Sequence, residues 1–224
     1  MNPFEGYRVT SPYGWRIHPV YKERRFHTGI DLVKSHKAPI LAFTDGSVIF
    51  AGFAKDGTGL GGMGNVVCVV DKYGHNHVYA HLDSVSVKVG DKVKKGQEVG
   101  KQGNTGVSTG SHLHYEVRKK SSPSYGYNSN REAQCFEPTQ YLIDFYSKEE
   151  KEKTESEDDA PMKLADWEKS LLIDAVRKFS KTNGVDGKPV INSPDTWIKK
   201  INDGTITAGE VAILNMAILS RTVK

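Results

Sequence analysis

Two histidines one residue apart, His112 and His114, lie in the run GVSTGSHLHYE at 106–116. Residues two apart in a β-strand point to the same face, so we expect both imidazoles to project together while Leu113 and Tyr115 point to the other side. Such a pair supplies half of a metal site, or an acid/base pair beside one. By itself the pattern fits a surface strand with two histidines equally well.

A histidine and an aspartate four residues apart, His27 and Asp31, stand upstream in the run HTGID. Imidazole nitrogen and carboxylate oxygen are common zinc ligands. Together with His114 they would supply three protein ligands and leave a fourth coordination position for water, which is typical of a catalytic zinc site. Alone, the pair would also fit a polar loop, but its combination with the second histidine pair favours the metal site.

Four short motifs in a fixed order carry a resemblance to a known family. They are YGWRIHP at 13–19, HTGID at 27–31, YAHL at 79–82, and GNTG at 103–106 running into HLHYE at 112–116. In these motifs the sequence resembles the lysostaphin/LytM-type zinc metallopeptidases, which cut peptidoglycan cross-bridges. The resemblance covers roughly residues 7–145, and the order and spacing of its motifs make it specific.

The resemblance implies a role for each of six residues. The implied zinc ligands are His27, Asp31 and His114. The implied catalytic histidines beside the metal are His81 and His112. Tyr21 lies six residues before His27, where some members of the family place a tyrosine that helps to stabilise the oxyanion. The intervening residues are basic and bulky here rather than glycine-rich, which departs from the family pattern.

These assignments predict metal-assisted hydrolysis of a peptide bond. Zn2+ would activate water and polarise the scissile carbonyl, while one histidine handles the water proton and the other stabilises the developing oxyanion. The H-E-x-x-H motif, with its glutamate base, is absent. The expected partner is a stem or cross-bridge peptide of peptidoglycan. We favour a D-alanyl–diaminopimelate link, which the sequence does not distinguish from a pentaglycine bridge.

Two alternatives from other functional classes stay open. The chain could be a non-catalytic regulator of other wall hydrolases, or a structural virion tail protein with a peptidase-like fold. All five implied metal and histidine positions are filled, which favours an active enzyme.

A second metal constellation is also compatible with the sequence. His75, His77 and His81 have the same parity along a predicted strand at 75–82, so their side chains could share one face and bind a metal. Spacing alone leaves this alternative open, whereas the family resemblance assigns only His81 to the site.

The elements that must position these residues are short strands bounded by turn residues, including the runs 38–42, 46–53, 66–71 and 75–82. We therefore predict a mainly β peptidase domain, an antiparallel sheet with a groove. The segment 56–64 has five glycines in nine residues and is either a groove wall or a plain hairpin connection. A short helix is predicted at 137–147, beginning near Pro138.

Composition excludes several classes of protein. No run of 18 apolar residues occurs, so no transmembrane segment is predicted. Residues 1–147 carry a net charge of +5, which suits an anionic cell wall, but no basic helix or strand motif indicates nucleic-acid binding. Cys68 lies in an apolar run, so we predict that it is a small buried apolar side chain. A disulfide with Cys135 is not expected.

We predict two further segments in residues 148–224. Residues 148–161 hold 3 lysines and 7 acidic residues and indicate an acidic disordered linker. For residues 162–224 we predict a small all-α bundle. An apolar stripe that includes Trp167 should form its core, and Ser193 should cap one of its helices. Its expected role is cell-wall or virion targeting, with a structural appendage as the alternative.

The N-terminus lacks the apolar region of a signal peptide. The sequence therefore predicts synthesis in the cytoplasm and action at the cell wall. Such a combination suits a phage or prophage endolysin released by a holin, or a virion-associated lysin.

Overall fold

The computed structural model describes residues 2–18, 22–182, 191 and 193–222; at 155–158 and 217–222 it describes the backbone alone. The chain divides into two units, Met1–Tyr146 and Ser147–Lys224. The division falls one residue before the end of the predicted peptidase domain. No helix in the described ranges has the length and apolarity needed to cross a membrane.

The first unit is built mainly of strands, and the helices follow towards the C-terminal end of the chain. The strands are β1 (Arg8–Ser11), β2 (Gly14–Ile17), β3 (Arg24–His27), β4 (Ile30–Val33), β5 (Pro39–Leu41), β6 (Gly46–Phe53), β7 (Asn65–Val70), β8 (Asn76–Leu82), β9 (Ser84–Val85), β10 (Lys92–Val93), β11 (Glu98–Lys101), β12 (Leu113–Arg118) and β13 (Cys135–Phe136). The α-helices are α1 (Arg131–Gln134), α2 (Pro138–Asp158), α3 (Asp166–Ser180), α4 (Pro194–Asn202) and α5 (Ala208–Thr222).

One large antiparallel sheet organises this unit. Its strand order is β1-β4-β12-β8-β7-β6-β10, and β13 pairs with β12 off this path. A three-stranded sheet (β5-β11-β9) and the hairpin β2-β3 complete the described β-structure. Every pairing between these strands is antiparallel, which confirms the predicted fold class.

Strand β12 lies between β4 and β8, and its side chains point alternately to the hydrophobic core and to the opposite face of the sheet. Leu113, Tyr115 and Val117 are fully buried in the main hydrophobic core, so the first two point away from the histidine face, as predicted. His114 and Glu116 point to the opposite face. The register sets His114 opposite Asp31 on β4 and opposite Ala80 on β8. The centre of the sheet therefore brings together residues that are distant in sequence.

Both cysteines are buried and free. Cys68 lies in a hydrophobic cluster with its neighbours on β7 and β8, as expected for a small apolar side chain. Cys135 lies on β13, a short strand that pairs with the end of β12.

The predicted acidic linker is helical over most of its length. Helix α2 begins at Pro138, as predicted, but it continues to Asp158 instead of ending near residue 147. The prediction of disorder at 148–161 is therefore wrong for residues 148–158. Lysine and glutamate are strong helix formers, and propensity outweighs the lack of apolar residues in this segment.

The second unit contains α3, α4 and α5 around a small core of Val176, Ile191, Ile201, Ile206 and Leu214. The prediction that Trp167 lies in this core is wrong, since its side chain is 69% exposed. The core-facing stripe of α3 passes through Leu172, and Trp167 lies about 140° around the helix from it. Pro194 occupies the first turn of α4 as predicted, but Ser193 makes no side-chain cap hydrogen bond.

Candidate metal centre

Three side chains from three strands converge at the centre of the sheet. His27 ends β3, Asp31 lies on β4 and His114 on β12, and all three are buried. His27 Nε2 lies 3.0 Å from His114 Nδ1 and 3.1 Å from Asp31 Oδ1. His114 Nδ1 lies 2.9 Å from the same carboxylate oxygen. Among the described residues, this is the group of three metal-ligating side chains whose donor atoms lie within 4.8 Å of one another.

The spacing of the donor atoms fits a zinc ion. Tetrahedral nitrogen and oxygen ligands about 2.0–2.1 Å from zinc lie roughly 3.3 Å from one another. The three measured separations are 3.0, 3.1 and 2.9 Å, so the cluster needs to expand by only a few tenths of an ångström. Two imidazoles and a carboxylate also match the chemistry that zinc prefers.

Hydrogen bonds select the nitrogen atom that each of these histidines turns to the centre. Nδ1 of His27 lies 2.7 Å from the carbonyl oxygen of Pro12, to which it donates, which leaves Nε2 facing Asp31. His114 is held the other way round, because its Nε2 lies 3.1 Å from Oε1 of Glu116. Such outer contacts fix the tautomer and ring orientation of a metal ligand.

Glu116 is the central residue that sequence reasoning did not identify as functional. Its carboxylate is fully buried, accepts a hydrogen bond from Thr28 Oγ1, and forms an ion pair with Arg118 through Nε at 2.7 Å. Arg118 also donates to the carbonyl oxygens of Gly59 and Tyr125. Glu116 and Arg118 could have been found by extending the two-residue alternation of His112 and His114 along the same strand.

His81 and His112 lie beside the three candidate ligands. The ring centres of His81 and His112 are 4.9 Å apart, and His112 Nε2 is 3.5 Å from Asp31 Oδ1. Nδ1 of each ring faces a backbone carbonyl oxygen, that of Thr105 for His81 and that of Gly110 for His112, both at 2.8 Å. In their neutral forms, both rings therefore keep Nε2 available as a proton acceptor.

The backbone is distorted where it turns His81 towards the metal centre. Its φ is +60°, a left-handed conformation that costs energy in a non-glycine residue, and the register between β7 and β8 shifts beside it. In a regular strand, His81 would face the same side as Tyr79, which lies in the main core. The irregularity brings its ring to 5.8 Å from that of His114 instead.

The ionisation of these groups follows from burial and mutual contact. Burial alone would raise the pKa of Asp31, but hydrogen bonds from His114 and His27 outweigh it and hold that pKa well below its usual range. Burial would lower the pKa of His114, yet its bonds to Asp31 and Glu116 raise it to about 9. Burial, followed by repulsion from His114 and His112, lowers the pKa of His81 to about 4. His81 is therefore neutral near pH 7.

Glycines allow close approach at two points around the centre. A Cβ on Gly29, between His27 and Asp31, would collide with the carbonyl oxygen of Tyr115 and lie 2.9 Å from Cε1 of His114. Gly64 and Gly106 both have positive φ; a Cβ on Gly106 would collide with the backbone of Gly64, and a Cβ on Gly64 would collide with Thr105. The second contact joins the loop 56–64 to the loop 103–111.

An open groove of about 900 Å³ runs over the metal centre. The glycine-rich loop 56–64 contributes four of its glycines and Met63 to the lining, so its interpretation as a groove wall is confirmed. The loop 103–111 lines the groove at 107–109, and the hairpin β2-β3, the segment 124–130 and helix α1 provide further walls.

The alternative metal site at His75, His77 and His81 is not formed. Both ring nitrogens of His77 are engaged in the core, with Tyr115 Oη at 2.6 Å and Asp71 Oδ2 at 3.1 Å. His75 contacts the hydroxyl of Tyr141 instead. The parity argument failed because it assumed a regular strand up to His81. The remaining candidate, Tyr21, lies outside the described residues.

Comparison with known proteins places this geometry among peptidases. Residues 25–125 match the family model of peptidase family M23. The DD-carboxypeptidase/endopeptidase Mpg of Neisseria meningitidis serogroup B is 39% identical over 123 residues, which is 55% of this chain and 27% of that protein. The glycyl-glycine endopeptidase ALE-1 of Staphylococcus capitis is 39% identical over 105 residues, 46% of this chain and 28% of that protein.

A solved structure extends the similarity to the fold. The catalytic domain of the antimicrobial peptidase lysostaphin from Staphylococcus simulans superposes with a TM-score of 0.51 at 29% identity. The superposition covers 62% of this chain and 95% of that domain. The chain spans about a quarter of the length of the curated relatives described above.

Proposed function

Because the chain contains a peptidase family M23 domain, we propose that it is a zinc metalloendopeptidase that hydrolyses peptide cross-links of bacterial peptidoglycan. The observation that carries the proposal is the convergence of His27, Asp31 and His114 under an open groove. The names of the relatives support the reaction type, since both Mpg and ALE-1 are described as endopeptidases.

In this proposal His27 Nε2, Asp31 Oδ1 and His114 Nδ1 hold the metal ion. Bound zinc supplies Lewis-acid chemistry, which activates water and polarises the scissile carbonyl. Glu116 keeps His114 in the tautomer whose Nδ1 faces the metal position. The protein thereby presents three ligands in a preformed arrangement.

His81 and His112 carry the proton transfers. Each ring holds its Nδ1 proton against a carbonyl oxygen, so Nε2 is the atom that accepts the proton of the attacking water. The same nitrogen then returns the proton to the leaving amine. Once protonated, it can also donate a hydrogen bond to the developing oxyanion. A contribution from Tyr21 to the oxyanion stays a prediction.

We place the activity at the bacterial cell wall, where lysis would follow from loss of cross-links. This location is supported by the peptidoglycan-directed chemistry that the family resemblance implies. Release by a holin, transport in a virion, and a targeting role for residues 162–224 stay predictions of the sequence. Lysis of host cells with and without a co-expressed holin would test the first of them.

The test is hydrolysis of purified peptidoglycan, followed as loss of turbidity and by mass analysis of the released fragments. Clearing should stop with a chelator, return with zinc, and produce new amino termini without new reducing sugars. His114→Ala should lose both zinc and activity. His81→Asn, which tolerates the positive φ at that position, should retain most zinc and lose turnover.

His36→Ala provides a matched control, because this exposed histidine lies outside the groove lining. It should retain both zinc and activity. Full clearing by His114→Ala would overturn the proposal, as would failure of the zinc-loaded protein to release fragments from any of several wall types.

A further inference from the structure

The wall of the groove beside the metal centre is cationic. In the hairpin β2-β3, Gly14 pairs with His27 and Arg16 pairs with Arg25. Directly opposed residues share a face of an antiparallel pair, so Arg16 and Arg25 lie on the same face as the proposed ligand His27. Both arginines line the groove.

Arg16 reaches closest to the proposed ligands. Its Nη2 lies 3.6 Å from Oδ2 of Asp31, and about one-fifth of its side chain is exposed. Its Nε is buried and has no hydrogen-bond partner among the described residues. One extended residue spans about 3.3–3.6 Å, so the guanidinium stands within about one substrate residue of the ligand set.

A second arginine approaches from helix α1. Arg131 lines the groove, is exposed, and donates one hydrogen bond from Nη2 to Thr28 Oγ1 at 3.2 Å. Thr28 follows His27 directly, so this guanidinium also stands near the metal centre. A planar guanidinium has five N–H donors, and its fork matches a carboxylate.

The acidic side chains of the groove already have partners within the protein. Five arginines and three carboxylates line it among the described residues. Of the carboxylates, Asp31 contacts the two histidine ligands and, through Oδ2, Arg16. Glu116 is paired with Arg118. Glu132 accepts a hydrogen bond from Trp15 Nε1 at 2.5 Å. The groove thus has an excess of positive charge before any metal is bound.

We propose that Arg16, assisted by Arg131, binds a free carboxylate of the substrate next to the scissile bond. The proposal rests on the function proposed above and narrows it to a substrate class. It selects cross-links whose amine comes from a residue with a free carboxyl group, as in D-alanyl–diaminopimelate, over uncharged oligoglycine bridges. A neutral peptide leaves the arginine donors unmatched, whereas a carboxylate accepts hydrogen bonds from them.

The experiment compares two synthetic stem-peptide dimers joined by a D-alanyl–diaminopimelate bond. One dimer carries a free carboxylate beside the acylated amine, and the other carries a carboxamide at that atom. The zinc-loaded protein should cleave the carboxylate form with a kcat/KM roughly tenfold to a hundredfold higher, the range expected for hydrogen bonds to a charged group. Arg16→Gln and Arg131→Gln should each reduce this ratio.

Arg8→Gln is the matched control, because Arg8 is exposed on β1 and lies outside the groove lining. It should keep the wild-type ratio. Zinc content is measured for each variant, since Arg16 touches Asp31 and a loss of metal would lower cleavage of both dimers alike. The ratio of the two kcat/KM values is therefore unaffected by such a loss of metal.

Equilibrium binding of both dimers to zinc-free protein, measured by calorimetry, gives a readout that does not depend on hydrolysis. The carboxylate dimer should bind more tightly, and Arg131→Gln should reduce the difference even if Arg16→Gln does not fold. Equal cleavage and equal binding of the two dimers would overturn the carboxylate subsite alone. Preferential binding with cleavage of neither dimer would overturn the peptidase function and leave the subsite standing.

Discussion

The contact between Glu116 and His114 leads to a quantitative prediction for zinc affinity. Glu116→Gln keeps the size of the side chain and an oxygen that can accept from His114 Nε2, but it removes the buried negative charge. That charge lies 3.1 Å from the imidazole and 2.7 Å from the Arg118 guanidinium, with no exposure to solvent. The substitution therefore tests the charge rather than the packing.

Two independent energies give the size of the expected loss of zinc affinity. Hydrogen bonds to charged groups contribute about 1.5–3 kcal/mol, which corresponds to roughly a tenfold to hundredfold change in affinity. Substitution of a carboxylate behind a metal-bound histidine typically costs about 10–100-fold in metal affinity. We therefore expect Glu116→Gln to weaken zinc binding by about 10–100-fold.

The substitution should also lower the free energy of unfolding. Breaking a buried ion pair costs about 3–5 kcal/mol when one partner is removed outright. The loss here should be smaller, because Arg118 keeps the carbonyl oxygens of Gly59 and Tyr125 as acceptors. The amide NH2 that replaces Oε2 cannot accept the hydrogen bond from Arg118 Nε, so part of the loss remains.

The assay is competition for zinc with a chromophoric chelator at a temperature where circular dichroism shows each variant to be folded. Glu98→Gln serves as the control, since its carboxylate contacts only the exposed Ser86 hydroxyl in the described hydrogen bonds. A zinc dissociation constant of Glu116→Gln within threefold of wild type would refute the reasoning. The buried charge would then have no role in metal binding.

Two further predictions concern the same centre. Zinc must displace the proton of His114, whose pKa is raised to about 9. The apparent zinc affinity should therefore rise about tenfold per pH unit from about pH 7 to pH 9 and then level off. A pH-independent affinity, measured in chelator-buffered zinc, would contradict this prediction. Gly29→Ala should lower the free energy of unfolding by about 1–3 kcal/mol in urea, because the added methyl group collides with the strand that carries His114. Gly110→Ala, with open space at its Cβ, should leave that free energy unchanged, and equal values for both variants would count against the packing argument.

Much of the metal centre was accessible from residue types and two-residue periodicity. The alternation around His114 correctly separated Leu113 and Tyr115 in the core from the histidines on the other face. The ligand set His27, Asp31 and His114 is the one whose donor atoms converge in the described structure. The inference about strand faces holds because side-chain alternation in a strand is a local property of the backbone.

The predictions that failed depended on non-local or irregular geometry. Parity left open a shared face for His77 and His81, but the positive φ at His81 turned its ring to the metal side. The helical pattern grouped Trp167 with the core of the second unit, whereas the packing of α3 leaves it exposed. Charge density indicated disorder at 148–161, but helix propensity prevails over residues 148–158.

The sequence by itself determined the kind of chemistry: the residue types, their order along the chain, and the faces that they share within each strand. Only the tertiary structure decided how these pieces meet. The pairing of β12 with β4 set His114 opposite Asp31, and the hairpin β2-β3 brought Arg16 beside them. Buried Glu116 acquired its role in the same way, through partners on other strands and loops. Strand register depends on contacts between residues far apart in the chain, and local patterns in a single sequence do not encode those contacts directly.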